Sequence, residues 1–134
     1  MCVMLLFASA GGYLPARLHS GDVPDQSFKE PLEVGVGAGL GALARFAITA
    51  AVPASGLVGA FGIPLVINII GCFAMGMMKP SALLGVGFLG GFTTFSALAV
   101  AATQSSALTA AAFMVVSFIA CVGAWLLGDR VRPA

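Results

Sequence analysis

Charged residues are scarce in this chain of 134 residues. They make up 8% of the sequence, whereas apolar residues make up 60%. Because a soluble domain carries about 25% charged residues, a soluble fold of this length would leave much of its apolar surface uncovered, and a bilayer must cover it. The net charge of +1 argues against nucleic-acid binding, since that function usually needs a basic face.

Groups that could carry proton transfer, metal binding or covalent catalysis are also missing. No carboxylate or histidine lies in the middle of an apolar segment, whereas a proton-coupled transporter usually carries one there. This absence weighs against a small multidrug-type exporter. The cysteines are isolated and form no CxxC motif, so no cysteine metal site is predicted. No nucleophile is paired with a base, so the sequence predicts no enzyme.

Four long apolar segments predict an all-α membrane protein with four transmembrane helices. They cover residues 32–52, 62–78, 82–103 and 107–128. Each is close to the ~20 residues with which a helix crosses ~30 Å of hydrocarbon, and the short connections favour antiparallel neighbours in one bundle. We expect a disordered N-terminal extension over residues 1–31, a four-helix domain over residues 32–128 and a C-terminal tail over residues 129–134.

The third apolar segment contains an unusual run of glycine and hydroxyl residues, GGFTTFS over residues 90–96. Two adjacent glycines favour leaving the helix, and two threonines follow them. In lipid, freed backbone groups are tolerated only where they are buried in protein or line a wet cavity. The sequence therefore predicts a break in the third helix near residues 90–94, with an ion site made of backbone and hydroxyl groups.

Polar and small residues mark the first two segments. Asn68 must face another helix or water, because an amide in lipid costs a few kcal/mol. It either forms an interhelical hydrogen bond or offers its N–H groups to an anion. Arg45 is the one charge clearly inside a segment, and a structural role is favoured over direct ion contact. Close helix packing is expected at the small residues Gly35, Gly37, Gly39 and Gly41.

Aromatic and hydroxyl side chains around the predicted break could serve an anion, although packing is the commoner role of the rings. The edge of a phenylalanine ring carries partial positive charge, and conduction requires weak binding at several sites. Thr93, Thr94 and Ser96 add hydroxyl donors. Carbonyl groups released by the break could hold a cation, which would offset the repulsion between anions nearby.

Three motifs, in this order along the chain, resemble the Fluc (CrcB) fluoride channel family. The motifs are GAGLGALARF over residues 37–46, VINIIGCF over residues 66–73 and GFLGGFTTFS over residues 87–96. The resemblance covers about residues 34–128. It implies an antiparallel dual-topology-type dimer of four-helix subunits in the cell membrane, with two pores that passively export cytoplasmic fluoride and confer fluoride resistance.

The resemblance also implies roles for individual residues. The fluoride pore would be lined by Asn68, Phe95, Thr94, Ser96 and Ser117, with Phe95 as the first ring of an aromatic pair. The backbone carbonyls of Gly90 and Thr93 would help to hold a structural sodium ion (Na+) at the dimer interface. Arg45 would keep the structural role given above.

Leu98 departs from the pattern of the family. It stands three residues after Phe95, where the resemblance leads us to expect the second pore phenylalanine, and a leucine has no positive ring edge. Phe113 stands where the family often has a tyrosine, one turn before Ser117, and lacks the phenol hydroxyl. At least one pore is therefore expected to be altered or dead, and a structural or non-conducting membrane subunit stays an alternative.

The basic residues predict one orientation in the membrane. With four spans, one side of the membrane receives Arg17, Lys29, Lys79, Arg130 and Arg132. The opposite loops carry no Lys or Arg, so the positive-inside rule predicts cytoplasmic N and C termini. An antiparallel dimer then favours a homologous subunit of opposite orientation that supplies the missing ring, while an antiparallel homodimer stays possible.

Overall fold

The computed structural model describes residues 29–52, 56, 58–78 and 80–132. Residues 1–28 of the expected extension and residues 133–134 of the expected tail lie outside them. The described residues form helices and no strand. Four of these helical spans are long and apolar enough to cross a membrane, which confirms the predicted all-α membrane fold.

The helices follow the predicted apolar segments closely. Helix α1 is Lys29–Ala51, and α2 is Ile63–Met78, preceded by the π-helical segment Val58–Gly62. The third span has two parts, which we call α3a and α3b. In α3a the π-helical segment Leu83–Leu89 continues into the α-helical turn Gly90–Phe92, and α3b is Ser96–Thr103. Helix α4 is Ala107–Val131. The break between α3a and α3b confirms the predicted interruption.

Local sequence explains how α2 and α4 begin. Pro64 lies directly after the π-helical segment, at the start of α2, and its missing N–H removes one hydrogen bond to the preceding turn there. Ser106 caps α4, because its Oγ accepts a hydrogen bond from the N–H of Thr109 at 3.2 Å, which satisfies one of the free donors of the first turn.

Helices α1 and α3a pack in parallel through small residues. A Cβ atom on Gly41 would overlap the backbone carbonyl of Phe88, and one on Gly91 would overlap the carbonyl of Ala38. The two backbones are therefore in direct contact, as expected for a small-residue helix interface. By contrast, no atom lies within 4 Å of the Cβ positions of Gly35 and Gly39, so only alternate glycines of the predicted ladder serve this contact.

Helices α2 and α4 form the second close pair, and they also run in parallel. A Cβ atom on Gly128 would overlap the carbonyl of Phe73. Cys72, which adjoins Phe73, and Cys121, two turns before Gly128, lie in one buried cluster against which Trp125 packs. The register of this pair brings the middle of α2 against the middle of α4.

An apolar cluster closes the end of the bundle at which α2 and α4 begin. Phe61, Leu98 and Ala101 are buried in it, and Phe113 is among the residues packed against them. The rings of Phe61 and Phe113 are stacked, with centroids 4.1 Å apart and planes 11° apart. This cluster, which we call the Phe61 cluster, joins α3b to the other two helices.

Much of the outer surface of the bundle is apolar. Large side chains such as Leu43 and Phe46 on α1 and Leu108 and Ile119 on α4 are more than 60% exposed in the isolated chain. In a bilayer such side chains contact lipid or another protein chain without cost. The fold therefore suits a multi-pass membrane protein.

The contact between α1 and α3a predicts different effects for two neighbouring glycines. Gly41→Ala should lower the free energy of unfolding by about 1–3 kcal/mol, because the added methyl group meets backbone that cannot move aside. Gly39→Ala is the matched control, and it should leave stability unchanged or raise it by up to about 1 kcal/mol through helix propensity. Denaturation of the purified variants in detergent measures both. Equal effects of the two substitutions would contradict the packing described here.

Candidate functional site

The break in the third span is the centre of the candidate site. Helix α3a ends at Phe92, and Thr93 turns the chain into an extended conformation with φ −76° and ψ 147°. Helical backbone resumes at Phe95, directly before α3b. The chain thus leaves the helix for only a few residues, in the middle of a membrane-spanning segment. Their backbone groups need partners from elsewhere.

Asn68 provides hydrogen-bond partners for both backbone polar groups of Thr94, which lies in the break. Its Nδ2 donates a hydrogen bond to the carbonyl of Thr94 at 2.8 Å, and its Oδ1 accepts one from the N–H of Thr94 at 2.7 Å. Both residues are buried, and Asn68 is only 7% exposed. A carboxamide matches a peptide unit donor for acceptor, so this pair of bonds satisfies Thr94 and fixes the break to α2.

Hydrogen bonds at the break release two carbonyl groups from the helix. In an α-helix the N–H of Thr94 would donate to Gly90, and that of Ala97 would donate to Thr93. Here the N–H of Thr94 donates to Asn68 and the N–H of Ala97 donates to the Thr94 Oγ1 at 3.3 Å. The carbonyl of Gly90 keeps only a 3.5 Å contact from the Thr93 hydroxyl.

Released carbonyl oxygens are the kind of ligand that hard cations take in proteins. No group of three or more His, Cys, Asp or Glu side chains that could hold a metal ion exists among the described residues. A cation beside the break would therefore take oxygen ligands from carbonyl, amide or hydroxyl groups. The carbonyl oxygens of Gly90 and Thr93, to which the family resemblance assigns this role, are ligands of that kind.

The break also brings helix ends of opposite polarity close together. The C-terminal end of α3a carries partial negative charge from its carbonyl groups, and the N-terminal end of α3b carries partial positive charge from its N–H groups. The first N–H groups of a helix have no intrahelical partner. Within a few residues, the third span thus offers acceptors suited to a cation and donors suited to an anion.

Hydroxyl groups surround the break at two depths in the protein. The Thr94 Oγ1 is buried and lies 3.1 Å from the Oγ of Ser96, which is exposed at the surface of the subunit. Ser117 is only 1% exposed, and its Oγ has no hydrogen-bond partner among the described residues. Because Cys121 packs with Cys72, the residues one turn earlier, Ser117 and Asn68, lie at about the same depth of the bundle.

The sequence-predicted pore residues thus fall into two sets. Asn68, Thr94 and Ser117 lie inside the bundle, whereas Ser96 is exposed and Phe95 is 45% exposed on the outer surface. Leu98, the predicted altered pore position, is 2% exposed and lies inside the Phe61 cluster. One subunit therefore bonds the Asn68 amide to Thr94 and leaves the Phe95 ring partly exposed.

Arg45 lies beside the same region. Gly37, Gly41 and Arg45 are spaced by four residues, so they share the face of α1 that packs on α3a. The Nε of Arg45 is buried without a hydrogen-bond partner in the described part of the chain. The only ion pair between described residues joins Asp129 and Arg132 at the end of α4. Arg45 thus places an unpaired positive charge near the break.

Phe61 is the residue that reasoning from sequence missed. It lies at a connection in the sequence, where no motif points to it. In the structure it is 2% exposed and stacks on Phe113. No signal in the sequence alone could have joined Phe61 to Leu98, because the contact depends on how three helices pack.

Comparison with known proteins gives a family for the chain. The family model described as CrcB-like protein, Camphor Resistance (CrcB), matches residues 32–129. Similar proteins include Fluoride-specific ion channel FluC 1 of Corynebacterium diphtheriae, which is 47% identical over 98 residues, or 72% of this chain and 92% of that protein. No solved structure matches the chain significantly.

Two further relatives carry related names. Fluoride-specific ion channel FluC of Corynebacterium efficiens is 43% identical over 114 residues, or 85% of this chain and 78% of that protein. Fluoride-specific ion channel FluC 1 of Corynebacterium glutamicum is 42% identical over 106 residues, or 79% of this chain and 97% of that protein. These matches confirm the resemblance inferred from the three sequence motifs, and the chain belongs to the CrcB family.

Proposed function

We propose that the chain is a subunit of a passive, fluoride-specific ion channel of the cell membrane, which exports cytoplasmic fluoride and confers fluoride resistance. The observation that carries the proposal is the pair of hydrogen bonds by which Asn68 holds open a break in the third span. The names of the relatives support the identity of the ion. The family is one of channels, so no enzymatic step is needed.

The groups at the break suit a small anion that must lose its water. One proton of the Asn68 amide is bonded to Thr94, and the second remains available, because the amide carries two donors. N–H groups at the start of α3b other than that of Ala97, together with the Ser117 hydroxyl, add donors without a permanent charge. Fluoride can exchange hydration water for several weak donors, which allows it to leave again.

A second subunit would complete the pore. The Phe95 ring and the Ser96 hydroxyl are at the surface of this subunit, next to the buried Thr94 hydroxyl. An antiparallel dimer would cover that surface and bring the positive edges of aromatic rings to the path of the anion. The exposed apolar side chains of α1 are available for the same contact. The partner is either a second copy or a homologous subunit of opposite orientation.

A sodium ion fits the released carbonyls of Gly90 and Thr93. Their helical donors are engaged elsewhere, so both oxygens are free to act as ligands of a hard cation. When bound, the ion would supply a fixed positive charge that offsets the repulsion between fluoride ions. Carbonyls from a second subunit at the dimer interface would complete its coordination.

The orientation of the chain follows the charges at the ends of the bundle. Lys29 begins α1, and Arg130 and Arg132 lie at the end of α4, which is the same side of a four-span bundle. The positive-inside rule puts this side in the cytoplasm. With a single preferred orientation, an antiparallel pair favours a heterodimer.

A structural or non-conducting subunit is the second candidate function. The observation in its favour is Leu98, which is buried among apolar side chains and offers no ring edge to an anion. A small multidrug-type exporter fits less well, because the described spans hold no buried carboxylate that could exchange protons.

Reconstitution of the purified chain into liposomes tests these candidates. Loaded with potassium fluoride and treated with a potassium ionophore, the liposomes should release fluoride rapidly and retain chloride in a parallel sample. Efflux from the chain alone would exclude an obligatory homologous partner and support a homodimer. Efflux only after co-expression with a homologous chain of opposite charge bias would support the heterodimer. No efflux in either sample would favour the non-conducting subunit.

Asn68→Asp should lower the rate of fluoride efflux at least about a hundredfold. The carboxylate repels the anion, and loss of the Nδ2 donor leaves the carbonyl of Thr94 without its partner, which costs about 1–3 kcal/mol. Efflux and detergent denaturation of the same preparation measure both effects. An Asn68→Asp variant that conducts like the wild type would exclude the amide from the path.

Ser117→Ala separates ion contact from packing. The Ser117 Oγ has no partner in the described part of the chain, so its removal should change the free energy of unfolding by less than about 1 kcal/mol. If the hydroxyl donates to fluoride, efflux should fall about tenfold or more, since a hydrogen bond to a charged group is worth about 1.5–3 kcal/mol. Unchanged efflux would remove Ser117 from the pore.

A further inference from the structure

The polar groups of Asn68, Thr94 and Ser117 lie at one depth of the bundle, and the apolar Phe61 cluster lies next to them along the bundle axis. We propose that Phe61, Leu98 and Phe113 form a hydrophobic barrier that limits the passage of fluoride between the level of Asn68 and the end of the bundle at which α2 and α4 begin. The inference rests on the proposed function, since it concerns the rate of the same permeation path.

The three side chains lie on the same side of the polar level. Phe61 is seven residues before Asn68 on the second span, Leu98 is four residues after Thr94 on the third, and Phe113 is four residues before Ser117 on the fourth. Because the third span runs against the other two, these offsets all point toward one end of the bundle. Each helix that contributes a polar group to the site also contributes a side chain to the barrier.

The barrier is apolar and closely packed. Phe61 and Leu98 are each 2% exposed, and Ala101 completes the buried core of the cluster. The Phe61 and Phe113 rings are stacked with centroids 4.1 Å apart, so their faces are turned to each other.

The side chains of this cluster carry no O–H or N–H donor for an anion. The two stacked rings turn their negative faces to each other, and leucine carries no polar group. Hydrophobic constrictions of this kind stop ions by excluding water, because an ion without water or a hydrogen-bond donor pays a large desolvation cost. Beyond the cluster, polar groups return at Ser105, Ser106 and Thr109. The barrier therefore separates two polar regions of the subunit.

Smaller side chains at position 98 test the barrier in the full-length protein. Leu98→Ala should raise fluoride efflux from liposomes about tenfold, and the milder Leu98→Val should raise it by less. Leu89→Ala is the matched control, because Leu89 is similarly buried on the third span but lies in α3a, away from the cluster. Its efflux should equal that of the wild type. If the wild type conducts fluoride, efflux in both Leu98 variants that is equal to or below the wild-type rate would overturn the proposal.

Access of a water-soluble thiol reagent gives a second reading that does not depend on conduction. In the Ser117→Cys protein, a reagent added to the side at which α2 and α4 begin should leave position 117 unlabelled. Labelling, located by mass spectrometry, should appear when Leu98→Val or Leu98→Ala is added. Gln104→Cys, exposed beyond the cluster, should label in every background. Equal labelling of position 117 with and without the Leu98 substitution would overturn the barrier.

The two readings separate failure of the barrier from failure of the proposed function. If no variant conducts fluoride but position 117 becomes labelled only in the Leu98 variants, the barrier holds and the channel function falls. If the wild type conducts and labelling at position 117 does not depend on Leu98, the channel function holds and the barrier falls.

Discussion

The pair of hydrogen bonds between Asn68 and Thr94 is the constraint on which the rest of the site depends. A helix broken inside a bilayer leaves N–H and C=O groups without water, at several kcal/mol for each group. One buried carboxamide satisfies both groups of Thr94 at 2.7 and 2.8 Å. Because the N–H of Thr94 is used in this way, the carbonyl of Gly90 loses its helical donor. The interaction that stabilises the break therefore also creates free acceptor groups beside it.

Close backbone packing holds the helices in the positions that this interaction needs. The contacts of Gly41 with the Phe88 backbone and of Gly91 with the Ala38 backbone hold α3a against α1. The contact of Gly128 with the Phe73 backbone holds α4 against α2. In lipid the hydrophobic effect does not drive helices together, so such contacts must be made by dispersion forces between surfaces that fit. Rigid pairs on both sides of the break let a short segment of irregular backbone keep one conformation.

Sequence alone predicted the spans, the break and the family, but not the directions of the side chains near the break. The four spans follow from hydrophobic length, and two glycines inside one span predict a break, although both glycines are helical and the chain leaves the helix only at Thr93. However, Phe95 and Leu98 both seemed to belong to one aromatic pair, and the structure directs Phe95 outward and Leu98 inward. A break changes the directions in which the following side chains leave the helix, by an angle that the sequence does not specify. Likewise, the ladder of small residues on α1 did not reveal that Gly37 and Gly41 pack while Gly35 and Gly39 stay open.

The opposite directions of Phe95 and Leu98 bear on where an ion can move. An anion that stayed inside one subunit would meet Leu98 and two stacked rings after leaving Ser117. An anion that moved outward from Thr94 would instead pass to Ser96, because their hydroxyl oxygens are 3.1 Å apart and join the buried site to the surface. At that surface it would reach Phe95, which is 45% exposed. The geometry therefore offers two directions from Thr94, one along the subunit surface and one that Leu98 and the stacked rings obstruct.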